Sequence, residues 1–380
     1  MGKSKIALII PMLQPYRVTL YERLIESTKD KYEWCIFNGV KDFDDARPDY
    51  KGNVNFRTKP YKATIKTIGP LSACIQKNLY RDVVDFDPDI VLVNANTGEL
   101  GSRKVAKWAS KNNKRLILWI CSWDSGKAKG IFRWFKRKMM GTYYKKGNYF
   151  IAYSSHAFNL IKSFSISPIK IGIAYNGLDL FHLKKNEADI DFQAELLRQK
   201  ITTDKKNKVF LYVGGLIPMK SPFLLIDAFL ELYKSNKNIE LWIIGDGPLR
   251  AKLEQSIKIC GNKAIKYFGR ITEGVDPYFK AADWFVLPGA GGLALNQSMF
   301  WRTPCICSVA DGSEDDLVLD EITGYRFVKD DVNSLRNAMQ KALSTSSEKH
   351  EKMGIFAKYL IEQRSNTDKM FDVFLQAIKD

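Results

Sequence analysis

Histidine is almost missing from this 380-residue chain, with three residues at 156, 182 and 350. The six cysteines, at 35, 74, 121, 260, 305 and 307, are scattered. No second Cys/His pair stands near Cys305 and Cys307 at zinc-ligand spacing, which favours buried reduced thiols over a zinc site. Long apolar runs are also lacking. Ile6–Pro11 and Leu116–Ile120 are strand-sized and far short of a membrane span. The N-terminus has no apolar signal-peptide core, and Ile6 stands where a myristoylation start needs Ser or Thr. The expected setting is therefore cytoplasmic. The most pointed absence is of acids: from Ser125 to Leu178 there is no Asp or Glu.

What is present is a normal globular composition, 45% hydrophobic and 27% charged, with a formal net charge of +17. A basic surface favours an anionic partner. The length suits two α/β domains better than one core. Short β-branched runs alternate with helix-length amphipathic segments. In the first half they are Lys5–Ile10, Glu33–Phe37, Asp89–Val93, Arg115–Cys121, Tyr149–Tyr153 and Lys170–Ala174. In the second half they are Lys208–Val213, Glu240–Ile244, Ile265–Phe268, Trp284–Leu287, Pro304–Ser308 and Gly324–Val328. This alternation predicts two parallel sheets, each covered on both faces, with ligands bound at the strand carboxyl ends. The polar stretch Lys184–Asn207 is the expected boundary. The domains expected are 1–185, 186–345 and a helical segment over 346–380 that packs back on the first domain.

Four turns carry candidate chemistry. Gly214 and Gly215 lead from a strand through Lys220 to a helix start, a pattern suited to phosphate but equally to a plain turn. Gly245-Asp246-Gly247-Pro248 is a second strand-to-helix turn, with Asp246 a candidate cap. Gly289, Gly291 and Gly292 precede the helix-forming run from Leu293 through Gln297. Glycines that dense argue for backbone amides open to a diphosphate leaving group. Glu314 follows the strand holding Cys305, at the same predicted edge; a solvated helix start explains it equally well.

In their order and spacing these pieces resemble the donor domain of retaining GT-B glycosyltransferases, specifically glycosyltransferase family 4. The resemblance covers Val209–Val328: Gly-x-Leu-x-Pro-x-Lys, Gly-Asp-Gly-Pro-Leu, Phe268-Gly269, Ala281-Ala282-Asp283, the Leu-Pro-Gly-rich helix start, Thr303-Pro304, Glu314 and Gly324. Pro15-Tyr16-Arg17 and Ala174-Tyr175-Asn176-Gly177 are similar to segments of some members. The chain departs from the pattern at four places. Gly215 replaces the usual arginine. The Glu-x7-Glu pair falls on Gly289 and Gln297. The first-domain histidine has no counterpart near Trp119–Asp124.

The resemblance implies retaining, metal-independent transfer of a sugar from a nucleotide-diphosphate sugar, with no cofactor. The acceptor implied is a glycan or lipid-linked glycan of a cell-surface polysaccharide. It assigns Lys220 to the donor phosphates, the Gly291, Gly292 and Leu293 amides to the leaving group, and Gln297 to the ribose, since an amide both donates and accepts. Glu314 is a sugar- or phosphate-edge contact, Arg17 a cation on the acceptor or phosphate side, and Asp124 an acceptor-side base. A sugar-nucleotide epimerase and an inactive binding subunit of the same fold are the alternatives.

The acid-free segment interleaves Lys127, Lys129, Arg133, Lys136, Arg137 and Lys138 with aromatics, including Trp134. Ile131, Phe135, Met139 and Tyr143 recur at steps of four, so a helix here has an apolar stripe. Such a helix can lie in an anionic membrane interface, at about 1 kcal/mol per basic residue. The expected location is peripheral, on the inner face of the plasma membrane. A helix packed on its own sheet explains the stripe but not the missing acids. No nucleic-acid-binding pattern is present.

Overall fold

The computed structural model describes residues 2–41, 50–68, 71–121, 130–309 and 312–379. The chain forms two compact units. One comprises Met1–Asn176 with Thr367–Asp380, the other Gly177–Asn366.

In the first unit, β1 (Ser4–Ile10) is followed by α1 (Pro15–Thr28), β2 (Tyr32–Lys41), β3 (Thr58–Ile68) and β4 (Leu71–Lys77). Then come α2 (Leu79–Phe86), β5 (Ile90–Asn94), α3 (Leu100–Lys111), β6 (Arg115–Ile120), α4 (Gly130–Tyr144), β7 (Tyr149–Ala152), α5 (Ser155–Lys162) and β8 (Ile171–Ile173). The strands form one sheet in the order β4-β3-β2-β1-β5-β6-β7-β8, parallel except for β4. Strand geometry sends alternate residues of β1 to opposite faces. Ile6, Leu8 and Ile10 enter one core and Ala7 and Ile9 the other.

The hairpin of β3 and β4 is a structural feature that the search for apolar runs does not reveal. Its strands alternate polar and apolar residues around Lys59, Pro60, Lys62 and Lys66; among the described residues Tyr61 and Ala63 sink into the core, with Cys74 partly buried against it.

In the second unit, α6 (Leu180–Lys185) and α7 (Glu187–Ile201) precede β9 (Lys208–Val213), α8 (Pro222–Ser235), β10 (Ile239–Ile244) and α9 (Arg250–Cys260). There follow β11 (Ile265–Tyr267), α10 (Asp276–Ala281), β12 (Trp284–Leu287), α11 (Leu293–Phe300), β13 (Cys305–Cys307), α12 (Glu314–Leu317), β14 (Gly324–Arg326), α13 (Val332–Leu343) and α14 (Ser347–Arg364). The all-parallel order is β11-β10-β9-β12-β13-β14. Phe210 and Tyr212 face one core of this unit, Val209 and Leu211 the other.

The division of the chain falls at Asn176–Gly177, ahead of the stretch expected to hold it. That stretch is helical. In α7, Ile190 and Ala194 are buried, and the Arg198 guanidinium bonds Asp283 at 2.8 Å. Residues 346–380 also divide. Asn366 Nδ2 bonds the carbonyls of Ile361 (3.0 Å) and Glu362 (2.8 Å), ending α14 within the second unit. The last helix, α15 (Thr367–Lys379), belongs to the first. Its Met370, Phe374, Ala377 and Ile378 form an apolar stripe, all buried, on the face of the first sheet that holds Ile6 and Leu8. Phe374 meets Trp119 edge-on, with ring centroids 5.1 Å apart.

Because Phe374 is fully buried, Phe374→Ala is expected to destabilise the first unit by about 3–5 kcal/mol. Urea unfolding followed by tryptophan fluorescence measures it.

Candidate functional site

In the second sheet the chain starts at β9, winds out to β11 on one side, and returns to build β12, β13 and β14 on the other. The switch point therefore lies between β9 and β12, which pair directly. Doubly wound sheets present their ligand crevice at that point, beyond the strand carboxyl ends. The two glycine-bearing turns with Lys220 and Gly291 leave these two strands.

The turns are joined backbone to backbone. Ala290 N–H donates to the Met219 carbonyl at 2.8 Å. A Cβ on Gly289 would lie 2.4 Å from the Met219 carbonyl oxygen and 2.8 Å from Lys220 Cα, so no side chain fits there. This gives a steric reason for the missing first glutamate. The Lys220 ammonium reaches across and donates to the Gly291 carbonyl. Gly292, at φ 158, stands with its Cβ direction 3.1 Å from Lys220 Nζ and opens α11 without a side-chain cap. The first amides of an eight-residue helix and an ammonium thus share one small region, an arrangement favourable to anionic oxygen.

Two phenols hold the neighbouring turns. Tyr212 Oη donates to the Gly215 carbonyl at 2.9 Å, and Tyr267 Oη to the Gly245 carbonyl at 2.9 Å. Burial pushes both phenols above their ordinary value, so they remain donors at neutral pH. Nothing in the strand pattern marked either residue. Asp246 Oδ1 accepts from the Gly247 amide at 2.9 Å. By contrast Gly215 faces open space; the nearest atom to a Cβ there is the Asp246 carbonyl oxygen at 4.0 Å. The backbone around it therefore does not require a glycine.

Gln297 lies on α11, and its Nε2 donates to Asp276 Oδ1 at 2.7 Å. Glu314 is fully buried at the start of α12, beyond β13, and its Oε2 accepts from the Gly312 amide at 3.1 Å. Cys307 is buried in β13, and burial pushes its thiol up to about 12. Cys260 is the exception to the buried-thiol expectation: it sits exposed at the end of α9, where no strand covers it.

In the first unit Arg17 lies at the start of α1, 3% exposed. Its guanidinium donates to Asn176 Oδ1 and contacts Met370 Sδ, and it lies 5.6 Å from the Trp119 ring centroid. Within the first unit α15 closes over it through Met370. Asp124, Lys127 and Lys129 lie outside the described residues.

Helix α4 divides along its length. Met140, Tyr143 and Tyr144 are buried in the core, whereas Trp134 is 59% and Phe135 64% exposed. Arg133, Lys136 and Lys138 are exposed beside them. Lys138 Nζ lies 5.0 Å from the Trp134 ring centroid, and Arg137 bonds Ser163 Oγ at 3.0 Å. The expected stripe therefore packs at Tyr143 but not at Phe135. Among the described residues no helix is long and apolar enough to cross a membrane.

Comparison with known proteins agrees with this geometry. The family described as "Glycosyl transferases group 1" matches residues 193–359, within the second unit. The chain is 31% identical over 189 residues to the UDP-Gal:alpha-D-GlcNAc-diphosphoundecaprenol alpha-1,3-galactosyltransferase of Escherichia coli, covering 47% of this chain and 46% of that one. It is 26% identical over 172 residues to a Campylobacter jejuni enzyme, GalNAc-alpha-(1->4)-GalNAc-alpha-(1->3)-diNAcBac-PP-undecaprenol alpha-1,4-N-acetyl-D-galactosaminyltransferase, covering 44% of this chain and 45% of that one. The matches span about half the length of these curated relatives. The fold matches along the whole chain. Anabaena Alr3699/HepE, crystallised with UDP, superposes with a TM-score of 0.71 at 14% identity, covering 99% of both chains. The fold is that of the GT-B glycosyltransferases: α/β, with two parallel-sheet domains.

Gly289→Ala is expected to cost about 1–3 kcal/mol, because the added methyl must displace the Met219–Lys220 backbone. Gly215→Ala, made where space is open, is expected to stay within about 0.5 kcal/mol. Thermal unfolding of the two variants side by side checks the contrast.

Proposed function

We propose that the chain is a glycosyltransferase that moves a sugar from a nucleotide-diphosphate sugar to a hydroxyl of a glycan or lipid-linked glycan, in the assembly of a cell-surface polysaccharide. The observation that carries this reading is the meeting of the Lys220 ammonium with the Gly291–Gly292 turn at the switch point of the second sheet. In the reaction the bond from the anomeric carbon to the diphosphate breaks and a bond to the acceptor oxygen forms. The acceptor loses its proton and a nucleoside diphosphate leaves. Charge then builds on the leaving diphosphate, where preorganised amides and a cation act most strongly. Lys220 holds the donor phosphates, and the amides of Gly291, Gly292 and Leu293 receive the leaving group. Gln297 is the ribose-side residue and Glu314 the edge contact. Asp124 is the acceptor-side base in this reading. Retention of configuration, family 4 membership and independence from metal follow from the motif resemblance. The relatives bearing the names of undecaprenol-linked glycan transferases support the acceptor class.

The same reading places the protein at the inner face of a membrane, held by α4. Exposed Trp134 and Phe135 beside Arg133, Lys136 and Lys138 support this, since interfacial helices combine aromatic insertion with cationic attraction to anionic lipid.

Lys220→Ala is expected to weaken binding of the sugar nucleotide by roughly tenfold to a hundredfold, as loss of a hydrogen bond to a charged group does. Calorimetric titration of the full chain measures it, and unchanged affinity removes Lys220 from the donor site. A sugar-nucleotide epimerase would instead convert the donor without acceptor. For the membrane, replacing Trp134 and Phe135 together with serine is expected to lower binding to phosphatidylserine-containing vesicles in flotation at low salt. Equal flotation of the variant and the native chain contradicts the role of α4.

A further inference from the structure

The second glutamate of the donor-domain pattern is Gln297 here, which leaves the ribose side without a carboxylate on α11. Its side chain nevertheless ends on one. Gln297 Nε2 donates to Asp276 Oδ1 at 2.7 Å, and the indole Nε1 of buried Trp301 donates to the same oxygen at 2.6 Å. A carboxylate has about four acceptor positions over two oxygens. Both donors fall on Oδ1, and no described residue donates to Oδ2. Two converging N–H groups fix the carboxylate plane and leave its second oxygen for an outside donor.

The placement suits a nucleotide. Asp276 begins α10, the helix that follows β11, so it stands at the carboxyl edge of the sheet, the edge that carries Lys220 and Gly291. Gln297 is five residues beyond Gly292 on α11, roughly 7.5 Å along the axis at the usual rise. A diphosphate held at the Gly291 turn therefore brings its ribose beside this pair. Asp276 is half-buried, open enough to reach and sheltered enough for a hydrogen bond to count.

We infer that Asp276 is the ribose-binding carboxylate of the donor site, accepting a hydrogen bond from a ribose hydroxyl at Oδ2, with Gln297 as its positioning residue. A carboxylate that moved from one helix to its neighbour replaces the glutamate that the α11 position has lost. The inference rests on the nucleotide-diphosphate reading of the site and extends it to the sugar of the nucleotide.

The test compares ribose and deoxyribose ligands on the full chain. Calorimetry with UDP, GDP and ADP identifies the nucleoside diphosphate that binds, and its 2′-deoxy and 3′-deoxy forms follow. The native protein is expected to prefer the ribonucleotide over one of its deoxy forms by roughly tenfold or more. Asp276→Asn keeps the volume and an oxygen for Gln297 and Trp301. It is expected to lower ribonucleotide affinity roughly tenfold, leave affinity for that deoxy form unchanged, and so erase the preference. Gln297→Met, which removes one of the two positioning donors, is expected to reduce the preference in part. A purely structural Asp276 would weaken both ligands alike. That result, an unchanged ratio in either variant, or no preference in the native protein overturns the inference and leaves the donor reading standing. Failure of all three nucleoside diphosphates to bind overturns both.

Discussion

The second unit depends on the joint between two backbone turns. Lys220 is not simply a cation beside a glycine loop. The chain carrying it lies directly on Gly289, close enough that the peptide of one turn occupies the space of the other's side chain. A hydrogen bond from Ala290 to Met219 fixes the register, and the ammonium closes the contact on the Gly291 carbonyl. Because β9 and β12 are neighbours across the switch point, a local steric condition sets the positions of both the cation and the amides that open α11. The tyrosine phenols on Gly215 and Gly245 extend the same fixing to the adjoining turns.

Seen this way, the departures from the donor-domain pattern have different physical causes. At Gly289 a glutamate is excluded by backbone. At Gly215 a Cβ meets open space, so the backbone does not require glycine there. At Gln297 the carboxylate function is not absent from the neighbourhood, because the amide presents Asp276. A residue-by-residue transfer of motif roles treats these three positions alike; the contacts separate them.

Much of the architecture was legible because buried parallel strands are written as apolar runs. Lys208–Val213 and Trp284–Leu287 match the observed strands at both ends, and the others differ by a few residues at their margins. The β3–β4 hairpin was illegible for the converse reason: it is lysine-rich and alternating, and its order comes from pairing with β2 rather than from its own hydrophobicity. The stretch 184–207 reads as a linker because α7 is polar on its outer face, and polarity alone does not distinguish a linker from a surface helix. The Lys220 and Gly291 turns could be joined from motif order. Asp276 could not, since Val-Asp-Pro reads as an ordinary helix start, and the bonds that orient it come from residues more than twenty positions away. The burial of Arg17 was not legible either, since nothing nearby in sequence announces that Met370 will cover it.

The placement of α15 has a bearing on how the molecule assembles as it is made. Residues 1–176 precede the whole of the second unit, and α1 already covers part of the sheet face that holds Ile6 and Leu8, but Phe374, which packs on Trp119 of that face, lies beyond the second unit in the chain. The second unit, continuous from Gly177 to Asn366, has all of its own strands and helices before that point. The second unit can therefore close its interior with its own continuous chain, whereas the first cannot cover Trp119 until the chain has passed through the second.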